Sequence, residues 1–288
     1  MPDYKVPVND YLFLFNDVLD MQSKYKSVQG GDEASNDMVE AIFTEAAKFC
    51  ENELAPIYQS GDDGCTWDDG VVTTPAGFKE AYQKFIEAGW TSLTGSTDMG
   101  GQGLPSSIGI AINEMMTTAN WAWAMYPGLS EGAVATLETS GTEQQKKDYL
   151  VKLISGVWSG TMCLTEPHCG TDLGLMKTKA VPNDDGSYKV NGTKIFISAG
   201  EHDLTDNIVH IVLAKLPDAP KGTKGLSLFI IPKFLVAEDG SAGERNGVRC
   251  GSIEHKMGIH GNGTAVLNFD DAKAFLIGEP NQGLAAMF

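Results

Sequence analysis

The hydrophobic spacing of this chain changes once, near residue 160, and that change limits the folds open to it. Before it, apolar residues recur three and four apart. Ser35 caps a segment through Gln59 in which Ile42, Phe43, Ala46, Phe49, Cys50 and Leu54 share a face. Thr74-Pro75 reads as a cap and a first helical residue ahead of Phe78, Tyr82, Phe85 and Ile86, with Gly89 as the stop. Pro105 opens a helix through Ile108, Ile112, Met115 and Met116. Another follows from Pro127 to Ser140, and Thr142-Glu-Gln-Gln145 is a capping box for Lys146–Ser155. After residue 160 the runs shorten to strand length: Thr178–Val181, Tyr188–Val190, Thr193–Ser198, Ile208–Lys215, Leu226–Pro232 and Thr264–Asp270. Asn183-Asp-Asp-Gly186 and Asn191-Gly192 serve as hairpin turns. Helices followed by strands, with no alternation, predict an α+β chain. Its N-terminal all-α domain spans 1–158, and a small antiparallel β-barrel-like middle domain spans 159–275. Residues 276–288 read as the start of a further helix that stops on Met-Phe without a cap, so the expectation is the front part of a longer protein.

Composition narrows the function. Of 288 residues 42% are hydrophobic, enough for a sizeable core, and the net charge is −17. Residues 1–158 hold 9 lysines, no arginine and 23 acids, against 12 basic and 15 acidic residues in 159–288. Such a surface repels phosphate backbones, so neither nucleic acid nor an anionic membrane is an expected partner. No apolar run approaches the ~20 residues of a membrane span. The start, Met1-Pro-Asp-Tyr-Lys, lacks the pattern of a secretory leader. Cys50, Cys65, Cys163, Cys169 and Cys250 form no Cys-x-x-Cys pair, which fits reduced thiols in a cytoplasmic protein. The histidines lack metal-ligand spacing, and no metal site is expected.

Met162-Cys-Leu-Thr-Glu-Pro-His-Cys-Gly-Thr-Asp172 is a strand running into a glycine turn, a shape that offers backbone N–H groups and hydroxyls to a planar ring edge or a phosphate. Read as Thr165-Glu-Pro-His-Cys-Gly-Thr-Asp172, and followed by Lys194-Ile-Phe-Ile-Ser198, it resembles the flavin-dependent acyl-CoA dehydrogenases. Asp98-Met-Gly-Gly-Gln-Gly103, Glu254-His-Lys-Met-Gly-Ile259 and Gly278-Glu-Pro-Asn-Gln-Gly283 agree in order. The early segment Tyr4–Val18 and the long acidic helix look like the long subfamily that includes 3-methylmercaptopropionyl-CoA dehydrogenase.

The resemblance implies FAD as cofactor and α,β-desaturation of an acyl-CoA substrate. Electron-transfer flavoprotein is then the acceptor, and the full-length protein is a homo-oligomer. Leu164 and Thr165 would meet the flavin pyrimidine edge, and Gly170 and Thr171 the pyrophosphate, with Thr171 also facing the CoA arm. Phe196 would lie beside the isoalloxazine, with Ile197 and Ser198 following it, and Met162 would pack on the ring. Met125, Tyr126 and Leu129, on the helix Trp121–Glu138, would line the acyl pocket. Glu131 and Glu166 are the acids within reach, but in this family the base is a glutamate of the C-terminal helical domain. No catalytic residue is therefore named, and the chain alone is expected to be inactive. Rival readings are an acyl-CoA oxidase or a flavin monooxygenase of the same fold, and a non-catalytic dimerisation or binding module.

Overall fold

The computed structural model describes residues 4–288; Met1 to Asp3, part of the segment read for a leader, lie outside them. In the helical half Ser35 caps as expected, its Oγ accepting from the Met38 N–H at 3.3 Å. The helix Asn36–Phe49 runs on into a π-helical turn at Cys50–Leu54. Phe43, Ala46, Cys50 and Leu54 are buried along one side. After a 3-10 turn at Ala55–Ile57 and a short helix Tyr58–Asp63, β1 (Thr66–Asp68) and β2 (Val71–Thr73) form a hairpin. Because β2 keeps the chain extended through Thr73, the expected cap at Thr74 does not form. The helix starts at Phe78, after Gly77 at φ +87°. Thr74 instead donates its N–H and its hydroxyl to Asp203 Oδ1, at 3.1 and 2.7 Å, and so ties the helical half to the β half. The helix Phe78–Glu87 buries Phe78, Ala81, Tyr82 and Phe85, one amphipathic stripe.

The long helix Ser106–Ser140 follows Pro105 and is broken at Asn120 (φ −161°, ψ 89°). There Asn120 Oδ1 accepts from the Trp123 N–H at 3.2 Å, so Asn120 caps the second segment. Pro127 was expected to open that segment and lies within it, where it costs the helix one backbone donor. The capping box at Thr142 and Gln145 is present in both directions.

The β half contributes β3 (Trp158–Cys163), β4 (Lys179–Pro182), β5 (Tyr188–Ile197), β6 (Asn207–Lys215), β7 (Leu226–Pro232), β8 (Phe234–Val236), β9 (Ala242–Arg245), β10 (Val248–Ile253) and β11 (Ala265–Ile277). The main sheet is mixed, which corrects the antiparallel expectation. β3 runs parallel to β6 from Trp158↔Asn207 to Cys163↔Val212, and β4 touches β6 in parallel at Lys179↔Lys215. Parallel neighbours need a long crossover, supplied here by residues 164–206 with the β4–β5 hairpin inside it. β6 also pairs antiparallel with β7, and β11 bridges β10, β5 and β7.

The turn expected at Asn191-Gly192 is absent, and β5 passes straight through it. Two flanking strands outweigh the dipeptide preference: Asn191 pairs with Lys179 of β4 and Gly192 with Phe269 of β11. Glycine is needed because a Cβ there would lie 2.3 Å from Thr178 Oγ1.

The two halves join where the second segment of the long helix lies on β3. The Gly160 N–H donates to Ser130 Oγ at 2.9 Å, and a Cβ on Gly160 would meet Ala133 Cβ at 2.4 Å. The short helix Gly283–Met287, after the last strand, buries Met287.

Candidate functional site

β3 delivers Met162 against the long helix, where a Cβ on Gly132 would come within 3.0 Å of the Met162 sulfur. Beyond β3 the chain folds into a tight turn. Glu166 and Cys169 exchange backbone hydrogen bonds at 2.8 and 3.0 Å, and Gly170 folds back on Thr165, so that its Cβ would meet Thr165 Cγ2 at 3.2 Å. β5 closes on this turn from one side: the Ile195 N–H donates to the Thr165 carbonyl at 2.9 Å, and Lys194 Nζ to the Leu164 carbonyl at 2.9 Å. Leu164 and Thr165 are thereby tied to the end of β5, which carries Phe196 and Ile197 and runs into Ser198, while Gly170 packs on Thr165.

That strand ends under constraint. Phe196 and Ala199 hold φ of +58° and +53°, a conformation that disfavours side chains. It is retained because Asn262 Oδ1 accepts from the Ala199 N–H at 2.8 Å and the Gly200 N–H from behind reaches the Ile197 carbonyl. The result turns the Phe196 ring outward, 49% exposed, while Ile197 is buried and can offer a ligand only its backbone. The hydroxyls of Thr165, Thr171 and Ser198 make no side-chain hydrogen bond among the described residues.

The predicted acyl-pocket residues divide. Met125 and Leu129 are half-buried on the second segment of the long helix. Tyr126 is fully buried, and its hydroxyl donates to the Gly261 carbonyl at 3.0 Å and accepts from the Gly263 N–H at 3.1 Å. An aromatic on a helix face serves here as the anchor of a turn in the β half.

Neither acid is free for proton abstraction at this turn. Glu166 is buried. Oε1 takes hydrogen bonds from Lys194 Nζ (3.0 Å) and the Thr178 N–H (3.0 Å), and Oε2 takes one from the Lys177 N–H (2.7 Å). Burial alone would raise its carboxyl, but the Lys194 charge and these donors outweigh it and hold the group below the usual carboxylate range. Glu131 lies apart, at the rim of a 270 Å³ cavity among the helices that is also lined by Phe85, Ile112 and Val134. The residue is exposed at the surface, but the helix walls that partly desolvate its carboxyl raise the pKa.

Glu166, His168 and Cys169 do bring potential ligand atoms within 4.8 Å of one another, which the spacing of the histidines did not suggest. Lys194 Nζ already holds Glu166 Oε1, and His168 Nε2 lies 3.7 Å from Oε2. All five cysteines are free, and burial pushes Cys50, Cys163 and Cys250 up to about 12, so they are poor nucleophiles.

One contact at the rim has no sequence signal. His260 Nδ1 lies 3.0 Å from the Asp62 carbonyl, and Nε2 lies 2.7 Å from the Lys256 carbonyl. Carbonyls only accept, so both nitrogens donate together only in the imidazolium form. These two bonds raise the His260 pKa above its ordinary 6.5. The clip steadies the loop whose Lys256 Nζ stands 5.5 Å over the Phe196 ring. With the folded pKa raised, its stabilisation is complete below about pH 6.5 and is lost as pH rises through the folded value. Hydrogen exchange of residues 254–260, corrected for intrinsic rates, should therefore lose protection over that range. In His260→Gln that pH dependence should vanish. A loop equally protected on both sides of the transition would show that the clip is inert.

The chain belongs to the acyl-CoA dehydrogenase family. The N-terminal-domain model of the acyl-CoA dehydrogenases matches residues 36–157, and their middle-domain model matches residues 161–272. It is 44% identical, over 99% of its length, to 3-methylmercaptopropionyl-CoA dehydrogenase of Ruegeria pomeroyi, covering 48% of that protein. Among solved structures, butyryl-CoA dehydrogenase from Megasphaera elsdenii superposes with a TM-score of 0.70 at 31% identity, over 87% of this chain and 61% of that one. An acyl-CoA dehydrogenase complexed with FAD from Bacillus anthracis does so with a TM-score of 0.69 at 26% identity, over 88% and 40%. The chain spans about half the length of the curated relatives it matches. Enzymes of this family are FAD flavoproteins and oxidoreductases, and a helical N-terminal domain beside a sheet-rich middle domain is their architecture. No helix among the described residues is long and apolar enough to cross a membrane.

Proposed function

We propose that this chain is the flavin-binding front part of an enzyme that desaturates an acyl-CoA thioester between Cα and Cβ. The observation that carries the reading is that the hydroxyls of Thr165, Thr171 and Ser198 make no side-chain hydrogen bond among the described residues and that the Phe196 ring is turned outward. A planar ring with a polar edge and a phosphate tail fits such a surface, since the hydroxyls can donate or accept and the phenyl can stack.

Leu164 and Thr165 would then hold the pyrimidine edge, Gly170 and Thr171 the pyrophosphate, and Ser198 with the Ile197 backbone the rest of the ring edge. Phe196 and Met162 would pack on the ring, and Met125 and Leu129 on the acyl group, with Thr171 toward the CoA arm. FAD, when bound, supplies the acceptor for the β-hydrogen. The protein groups fix its orientation and keep water from one side of it. Glu166 is tied to Lys194 and Glu131 stands among the helices, so the base is assigned to neither, and the chain by itself is read as inactive. Residues 1–158 would form the helical domain and 159–275 the β domain, with the pairings β11–β5–β4–β6–β7–β11 as a small barrel-like support. Electron-transfer flavoprotein as acceptor, assembly as a homo-oligomer and a cytoplasmic location complete the reading.

The full-length protein should be yellow as purified, bleach on titration with acyl-CoA, and consume no oxygen; steady oxygen uptake would point to an oxidase or monooxygenase. Thr165→Val with Ser198→Ala should weaken FAD binding by about tenfold or more, since each unpaired ring-edge group costs ~1–3 kcal/mol. If the melting temperature falls while the FAD dissociation constant stays at the wild-type value, the two hydroxyls are structural and the site is misassigned.

A further inference from the structure

Lys194 is the largest charged side chain hidden in the protein: it has no exposed surface, and its partner Glu166 is 2% exposed. A strand that alternates inward and outward rarely turns a lysine inward unless the ammonium has somewhere to go. Here Nζ reaches two oxygens of the same turn, the Leu164 carbonyl at 2.9 Å and Glu166 Oε1 at 3.0 Å. The Glu166 carboxylate reaches on to the Lys177 and Thr178 N–H groups, which lead into β4. The next carbonyl, that of Thr165, is held by the Ile195 N–H, and the Glu166 N–H is held by the Cys169 carbonyl at 2.8 Å. Three successive residues, 164, 165 and 166, are thus fixed by the protein, each at a different atom. Two of the three fixings come from adjacent residues of β5, the strand that goes on to present Phe196 and Ser198.

We propose that Glu166 and Lys194 are positioning residues for the bound flavin, an ion pair that locks the Leu164–Thr165 turn to the strand carrying Phe196 and Ser198 so that both face one ring in a fixed relation. The inference rests on the flavin reading above. A core ion pair is weak evidence for stability, because an apolar pair of similar volume often serves as well. Its value here lies in geometry. An ammonium with three donors can join a carbonyl and a carboxylate on one turn to a neighbouring strand, which a methionine in its place cannot do. Without it the turn keeps its backbone pairing but loses the restraint on Leu164, and the hydroxyl of Thr165 no longer stands in register with that of Ser198.

The test uses the full-length protein and the uncharged, near-isosteric double variant Glu166→Gln/Lys194→Met, which leaves no unpaired charge in the core. Apoprotein is titrated with FAD, and the flavin midpoint potential and absorption bands are recorded with the melting temperature. The expected result is a dissociation constant raised about tenfold, from loss of one to two well-placed ring-edge hydrogen bonds, together with a displaced potential and altered bands. These are readouts that a purely structural pair would not move. A double variant with the wild-type dissociation constant, potential and spectrum overturns the positioning role, whatever its melting temperature. A wild-type protein that takes up no FAD overturns the flavin reading and this role with it, an outcome separable from the first because it needs no variant.

Discussion

Replacing Lys194 alone by methionine should destabilise the protein by about 3–5 kcal/mol, the usual cost of leaving one member of a buried ion pair without its counter-charge. Glu166 would keep its two backbone donors but lose the ammonium, at a site where water does not reach. Adding Glu166→Gln should return part of the loss, since no net charge is then buried and the amide oxygen still accepts from one of the Lys177 and Thr178 N–H groups, while the NH2 leaves the other unmet. Acidification should narrow the gap between wild type and Lys194→Met. The Glu166 carboxyl is depressed in the folded protein, so the pair's contribution is present above the ordinary carboxylate range and is lost as pH falls through the folded value. In the variant, protonation removes the unpaired charge. Equilibrium urea unfolding at neutral and acid pH measures all three quantities. A single variant within 1 kcal/mol of wild type, or a double variant no better than the single, would contradict the ion-pair account.

Such a pair could not have been recognised from spacing. Lys194 belongs to a stretch that reads as a strand, and a lysine there is ordinarily placed on the solvent side. What turns it inward is Glu166, 28 residues earlier. The same distinction runs through the fold. Ser35 and the Thr142–Gln145 box were legible because a cap needs only the next three residues. Thr74 carries the same local signal, but its partner Asp203 is 129 residues away and takes both of its donors. Asn191-Gly192 satisfies the rule for a two-residue turn, yet the chain runs straight because strands on both sides claim its backbone. The parallel run of β3 along β6 has no local signature, since register between distant strands is decided by what each buries.

The site divides in the same way. The residues from Thr165 to Asp172 and from Lys194 to Ser198 could be found as segments, because the resemblance is itself one of contiguous residues. Their meeting at one turn, the left-handed backbone at Phe196, and the Asn262 bond that holds Ala199 depend on contacts between segments. The tie at Tyr126 has that origin. Periodicity puts it on the helix face with Met125 and Leu129, but its hydroxyl is spent on Gly261 and Gly263, more than 130 residues on.

The largest loss from a single apolar truncation is expected at Trp123, where Trp123→Ala should cost about 3–5 kcal/mol. The indole has no exposed surface and stands 5.3 Å from the Phe85 ring, edge to face, with Phe49 at 5.8 Å and Tyr82 at 6.1 Å. It is shared by three helical stretches: Phe49 ends the first, Tyr82 and Phe85 line the second, and Trp123 lies in the first turn of the last segment of the long helix. Nε1 also donates to the Phe78 carbonyl at 3.1 Å, so Trp123→Phe should retain much of the ring packing while losing that one hydrogen bond, at ~0.5–1.5 kcal/mol. Trp121, two residues earlier and 59% exposed, supplies the control: Trp121→Ala should change stability by no more than about 0.5 kcal/mol. The contrast reaches the site because the segment that Trp123 anchors is the one that carries Met125 and Leu129 and rests on β3 through Ser130 and Gly160. Urea unfolding of the three variants separates the alternatives. Equal losses at positions 121 and 123 would mean that the helix responds to the removal of any indole, and that the aromatic cluster does not hold the helical domain against the sheet.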